Sequence, residues 1–149
     1  MEIREEALTD ELTEKLTALS REWENENSCR GYRENNRADL EGRRFFTARE
    51  NGRLIAYLFG AICHEEEGNS VLEKSTPFFE LDELYVVPDR RSQGIGRELF
   101  SFAEKALGGE TEWILLSTAT KDWKKILHFY LDELGMDFWS ARLFKKITG

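Results

Sequence analysis

At 149 residues, with 40% hydrophobic, 12% aromatic and 34% charged residues, the chain suits a single soluble domain that buries roughly two-thirds of its unfolded surface. Its 29 acidic against 21 basic residues leave a formal net charge of −8, which argues against nucleic acid, since phosphate contacts need clustered Lys and Arg. That acidity keeps the protein soluble and favours a cationic partner.

The first residues, Met1-Glu2-Ile3-Arg4-Glu5-Glu6, lack the basic-then-apolar order of a secretion signal, and Ile3 starts a short edge strand. Thr9 is placed to cap a helix with Asp10 and Glu11 in its first turn. Leu8, Leu12, Leu16, Leu19 and Trp23 recur at helical spacing and predict about four turns. Glu24 to Arg43 is polar, with Asn25, Asn27, Asn35 and Asn36, and reads as a loop with one short helix, of the kind that frames a site. Arg44 to Glu50 and Arg53 to Cys63 read as a hairpin joined by Asn51-Gly52, both of which accept positive φ. The longest apolar run, Leu54 to Cys63, is too short for a bilayer and is interrupted by glycine. Cys29 and Cys63 form no CxxC pair, so neither a disulfide scaffold nor a metal site is expected. These features place the protein in the cytoplasm, away from membranes.

His64 to Thr76 is an acidic loop. Pro77 and Pro88, the chain's two prolines, bracket a strand over Phe78 to Val87, as suits residues that cannot donate to a ladder. Arg91-Ser92-Gln93-Gly94-Ile95-Gly96-Arg97 follows, then an amphipathic helix over Glu98 to Leu107, closed by Gly108-Gly109. Trp113 to Ser117 reads as a buried strand. Trp123, Ile126, Leu127, Tyr130, Leu131 and Leu134 share a helical face, with Gly135 at the C′ position. Met136 to Ile147 reads as a terminal strand or hairpin. The order predicts one α/β (α+β) domain over residues 1–149, with a mixed, mostly antiparallel central sheet and helices on both faces.

A strand, a short glycine turn and a helix N-terminus together form an anion site, because the first helical N–H groups have no intrahelical partner and sit at the positive end of the dipole. A Walker A loop needs Gly-Lys-Ser/Thr, whereas Arg97-Glu98 follows Gly96. A dinucleotide fingerprint needs a third glycine where Leu99 stands. The remaining pattern, Arg/Gln-x-x-Gly-x-Gly/Ala, is met in full by Arg91-Ser92-Gln93-Gly94-Ile95-Gly96. With Phe129-Tyr130 in the next helix, the chain resembles the GNAT superfamily of N-acetyltransferases along its whole length, most specifically over residues 78 to 136.

That resemblance implies a GNAT-like acyl-CoA N-acyltransferase fold and acetyl-CoA as co-substrate, with no metal. Main-chain groups of Leu84, Tyr85 and Val86 would pair with the pantetheine arm, and an N–H near Val86 would polarise the thioester carbonyl. The motif residues Arg91 and Ser92 and the amides of Gln93, Gly94, Ile95, Gly96 and Arg97 would hold the pyrophosphate. Tyr130 would protonate the departing thiolate, and Asp82 or Glu83 would take the amine proton, directly or through a water. Alternation along a strand puts those two carboxylates on opposite faces, so only one meets the substrate.

Two departures from the family pattern stand out. Gly135 lies five residues after Tyr130, where four are common, which calls either for a bulge in the last turn or for a rotated Tyr130. Trp123 occupies a place where several relatives have an Asn that contacts the cofactor, with Lys121 and Lys124 as electrostatic substitutes. His64, His128 and the Glu65-Glu66-Glu67 run have weaker claims to catalysis. The expected activity is direct acetyl transfer to a primary amine of a small molecule, polyamine or peptide. A non-catalytic acyl-CoA-binding or sensing module is the alternative, and a homodimer through the terminal strands is a further expectation.

Overall fold

The structure, a computed structural model, describes residues 1–148. Its framework is the hairpin of β2 (Arg44–Glu50) and β3 (Arg53–His64). Asn51 and Gly52 turn it with φ of 51° and 81°, the left-handed pair that matches the twist of the flanking strands. β1 (Glu2–Glu6) joins β2, and β4 (Pro77–Val86) joins β3, all antiparallel. β5 (Ile114–Leu115) adds to β4 in parallel, giving the order β1-β2-β3-β4-β5.

Leu54 to Phe59 are buried without interruption, as a strand covered on both faces must be. One face is covered by α1 (Asp10–Glu26), which begins where the Thr9 hydroxyl accepts from Leu12 N and ends at Asn27, φ 52°. Trp23 on α1 stacks on Tyr85 of β4 at 5.2 Å and on Tyr32 at 4.3 Å. The opposite face carries α3 (Ile95–Leu107), whose Leu99, Phe100, Ala103 and Leu107 are buried and whose Phe102 meets Phe46 edge-on at 6.3 Å. The short α2 (Arg37–Leu40) lies in the polar loop, capped by Asn36 and Asp39 in a reciprocal capping box.

β4 is interrupted where it matters. Phe59 opposes Glu83 and Gly60 opposes Leu81, so Asp82 is the extra residue of a β-bulge. Gly60 makes the bulge possible: a Cβ there would lie 2.1 Å from the Glu80 carbonyl oxygen. β5 meets β4 only at Phe79 and Glu80. Beyond that point, among the described residues, no strand pairs with the outer edge of β4.

Three expectations need correction. The strand expected over Trp113 to Ser117 is a two-residue ladder. The last helix is α4 (Trp123–Leu127) followed by a π-helical turn, His128–Glu133. Leu134 N donates to Phe129 O at 3.0 Å, an i→i+5 bond, so a bulge absorbs the extra residue before Gly135, which sits at φ 72° as a C′ residue should. The terminal strand or hairpin expected over Met136 to Ile147 has no ladder partner: the segment is irregular, and Leu143 and Ile147 are each 95% exposed. A strand is defined by its partner as much as by its own residues. No helix among the described residues is long and apolar enough to cross a membrane.

Candidate active site

Three elements meet at the C-terminal end of β4. Val87 donates to Ile55 O on β3 at 2.9 Å. Because antiparallel residues alternate in the direction of their main-chain groups, Val86 and Leu84 turn theirs to the open outer edge. Tyr85, opposite Tyr57, turns its own toward β3. Of the three residues expected to present main-chain groups to the cofactor arm, two face the open edge.

The chain then passes through a single 3-10 turn, Pro88–Arg90, tied down by charge. Arg53 grips Asp89 with two bonds of 2.9 Å, and Arg90 reaches Glu50 at 2.8 Å. Ser92 and Gly94 take φ of 62° and 81° and reverse the chain into α3. Gly94 caps the helix with no side chain, and its carbonyl accepts from Glu98 N at 3.0 Å, the bond that opens the helix. The amides of Ile95, Gly96 and Arg97 precede that bond and have no intrahelical acceptor. A Cβ on Gly94 would meet nothing within 4 Å, so the turn is open above it. Gln93 points its side-chain amide back to Asp89 O at 3.4 Å.

The third element is the π turn. A Cβ on Gly96 would touch Phe129 Cζ at 3.3 Å and Val86 Cγ2 at 3.7 Å, so Phe129 lies directly over the start of α3 and the end of β4. Tyr130 follows it in the chain, half-buried. Burial pushes its hydroxyl up to about 12, with the nearby Cys29 thiol adding to the rise. Cys29 arrives there because residues 28–30 pair with 119–121: Cys29 bridges Thr120, Arg30 N donates to Ala119 O at 2.9 Å, and Lys121 N to Ser28 O at 2.8 Å.

The two carboxylates expected as bases have different surroundings. Glu83 sits in a cage on the α1 side, accepting from Tyr32 Oη at 3.0 Å, Tyr57 Oη at 2.9 Å and Asn35 Nδ2 at 2.8 Å. Burial raises its pKa, and the three donors only partly oppose that rise. Asp82, the bulge residue, pairs at the rim with Arg43 at 3.0 Å. Burial raises Asp82 as well, against the pull of Arg43. The bulge breaks the alternation on which the opposite-face expectation rested.

The other expected contributors are occupied or distant. Arg91 does not project freely from the loop but bonds Glu26 and the Val86 carbonyl. Lys121 reaches Asn27 at 3.1 Å and Lys124 lies over the exposed Trp123 ring at 5.5 Å. His64 ends β3 opposite Pro77, the far end of β4 from Val86, and Glu65 bonds Asn69. His128 pairs with Asp132 at 2.7 Å on an exposed surface. Tyr32, Asn35 and Tyr57, which build the Glu83 cage, were not singled out by sequence. The one available signal was Tyr57, a hydroxyl in an otherwise apolar strand, which has to find a partner when buried.

An open β4 edge, free amides at the start of α3 and a half-buried Tyr from the last helix together suit a thioester of coenzyme A. Residues 5–136 match the acetyltransferase (GNAT) family. The chain belongs to that family. Its fold is also that of solved GNAT structures. An aminoglycoside N-acetyltransferase, AAC(6')-Iy, in complex with CoA is 16% identical with a TM-score of 0.67, covering 99% of this chain and 100% of that one. An aminoglycoside acetyltransferase from an uncultured soil metagenomic sample is 15% identical with a TM-score of 0.70, covering 99% and 96%. A ribosomal-protein-alanine N-acetyltransferase from Brucella melitensis is 18% identical with a TM-score of 0.66, covering 98% and 100%. No curated protein matches the sequence significantly. Identities this low establish the GNAT fold alone.

Proposed function

We propose that the protein transfers an acetyl group from acetyl-CoA to a primary amine by direct attack within a ternary complex. The observation that carries this reading is the convergence of the outward-facing Val86 edge, the unpartnered amides opening α3 and the Phe129-Tyr130 pair around Gly96. Acetyl-CoA supplies an activated acyl carbonyl. The chain's part is to pair the pantetheine arm along Leu84 and Val86 and to hold the pyrophosphate on the amides of Gln93, Gly94, Ile95, Gly96 and Arg97. The outward Val86 N–H polarises the carbonyl. Glu83, kept above the usual carboxylate range by burial, takes the proton from the attacking amine, directly or through a water. Tyr130, protonated throughout the neutral range, returns one to the departing thiolate.

A cationic acceptor suits this site. Burial raises the pKa of Glu80 and of Glu83, the neighbouring Asp82 adds to each rise, and a positive charge would relieve that added repulsion. The similar proteins include enzymes named for aminoglycosides, which are polycationic amines.

Isothermal titration with CoA and with acetyl-CoA, followed by turnover of an amine library, tests the reading. Tyr130→Phe is expected to lower kcat by about 10²-fold or more, the range of general-acid catalysis, while CoA affinity is retained. Unchanged turnover in that variant would remove Tyr130 from the chemistry. Binding without turnover of any amine would favour the acyl-CoA-sensing module instead.

A further inference from the structure

Arg91 opens the phosphate-binding motif, and its guanidinium is committed elsewhere. Its Nε donates to the Val86 carbonyl at 2.8 Å. Nη1 and Nη2 donate to the two carboxylate oxygens of Glu26 at 2.6 and 3.0 Å, a fork-to-fork pair. The plane lies over the Tyr85 ring at 5.2 Å, and the Tyr85 hydroxyl donates to the same Glu26 at 2.8 Å. Glu26 is the last residue of α1, so the pair joins the helix that covers the α1 face to the loop expected to hold the cofactor. The Val86 oxygen that Arg91 holds is the outward-facing acceptor to which a pantetheine amide would add.

We propose that Arg91 and Glu26 form a latch across the cofactor groove: coenzyme A must lift the guanidinium off the Val86 carbonyl and off Glu26 before its arm can pair with β4. This rests on the acyltransferase reading above. Lifting Arg91 breaks charge-assisted bonds, so Glu26 lowers the affinity for the cofactor although it touches none of it. Arg91 lies four residues before Ile95, the first residue of α3, and its released guanidinium becomes a ligand for the phosphates. The Glu26 carboxylate is then left beside Tyr85 on the α1 face, where Trp23 and Tyr32 lead toward Glu83. Cofactor binding therefore leaves an uncompensated negative charge on the α1 side, where Glu83 also sits.

The test is titration of CoA into the purified protein and four variants, with thermal melting to establish that each is folded. Glu26→Gln is expected to bind CoA about fivefold more tightly than the wild type, the upper size for a partly exposed ion pair. Arg91→Ala is expected to bind more weakly, and Glu26→Gln is expected to bring no gain in the Arg91→Ala background. Tyr85→Phe, which removes a donor from Glu26 and leaves the latch, is expected to bring none either. If Glu26→Gln melts poorly, Glu26→Asp replaces it, with a smaller gain expected. A folded Glu26 variant that binds CoA no better than the wild type overturns the latch, as does a gain that persists without Arg91. Wild-type protein that binds no CoA overturns the acyltransferase reading, and the latch with it.

Discussion

Gly60→Ala is the change whose outcome follows most directly from geometry. The added Cβ would stand 2.1 Å from the Glu80 carbonyl oxygen, 2.8 Å from Phe79 Cζ and 3.0 Å from the Glu80 carbonyl carbon. Ordinary contact begins at 3.4 Å, and the first clash is with backbone, which has no rotamer to escape into. β3 and β4 would have to part at the bulge, in a sheet whose strands stand only about 4.8 Å apart. A Gly→Ala change at an ordinary position stabilises by about 0.4–1 kcal/mol through the unfolded chain. Overpacking a close-packed interior costs about 1–3 kcal/mol, more when backbone must move. The clash therefore wins, and a net loss of about 2 kcal/mol lowers Tm by roughly 4–8 °C for a domain of this size. Differential scanning calorimetry reads it directly. A Tm within about 2 °C of wild type would refute the reasoning, because it would mean that the bulge opens at no cost.

Further outcomes follow from other features. Burial raises the Glu83 pKa above its usual 4.5, so the native state binds that proton more tightly than the unfolded chain. The stability this confers is complete below the unfolded value and is lost as pH rises through the native one. Urea unfolding of Glu83→Gln should show a shallower decline from pH 4.5 upward than wild type, and an identical decline would mean that the cage does not perturb Glu83. The slope should not vanish, because Glu80 and Asp82 are raised in the same sense. Thr9→Ala removes the acceptor for Leu12 N at 3.1 Å and should cost about 1 kcal/mol. It should appear as a lower urea midpoint with an unchanged m-value.

What could be read from sequence was what short-range chemistry decides. Asn51-Gly52 specified the hairpin because few dipeptides accept two positive φ values. Thr9 with Asp10 and Glu11 located the start of α1, and the two prolines bounded β4. The glycine motif was legible for the same reason: strand, turn and helix are contiguous. The Glu83 cage was not, since Tyr32 and Asn35 from one loop and Tyr57 from β3 reach one carboxylate on a third element. The bulge at Asp82 depends on register with a strand more than twenty positions earlier, and no local pattern announces it. The Arg91 latch joins residues 65 positions apart. Residues 113–117 and 136–147 carry strand-forming side chains, yet most found no partner, and pairing is what makes a strand.

The π turn at His128–Glu133 changes how this chain must be compared with others. Each residue of an α-helix advances the direction of its side chain by about 100°, and a turn closed by an i→i+5 bond takes in one residue more than its neighbours. Written beside this chain, a sequence whose last helix is α-helical throughout therefore needs a gap opposite one of the residues between Tyr130 and Gly135. Without it, either the tyrosine or the glycine falls in the wrong column, and everything beyond is displaced by one. A single-codon deletion within 131–134 is the experimental counterpart of that gap. It should turn the i→i+5 bond into an ordinary i→i+4 bond, leaving Phe129 seated over Gly96 and the chain beyond Gly135 on its present course.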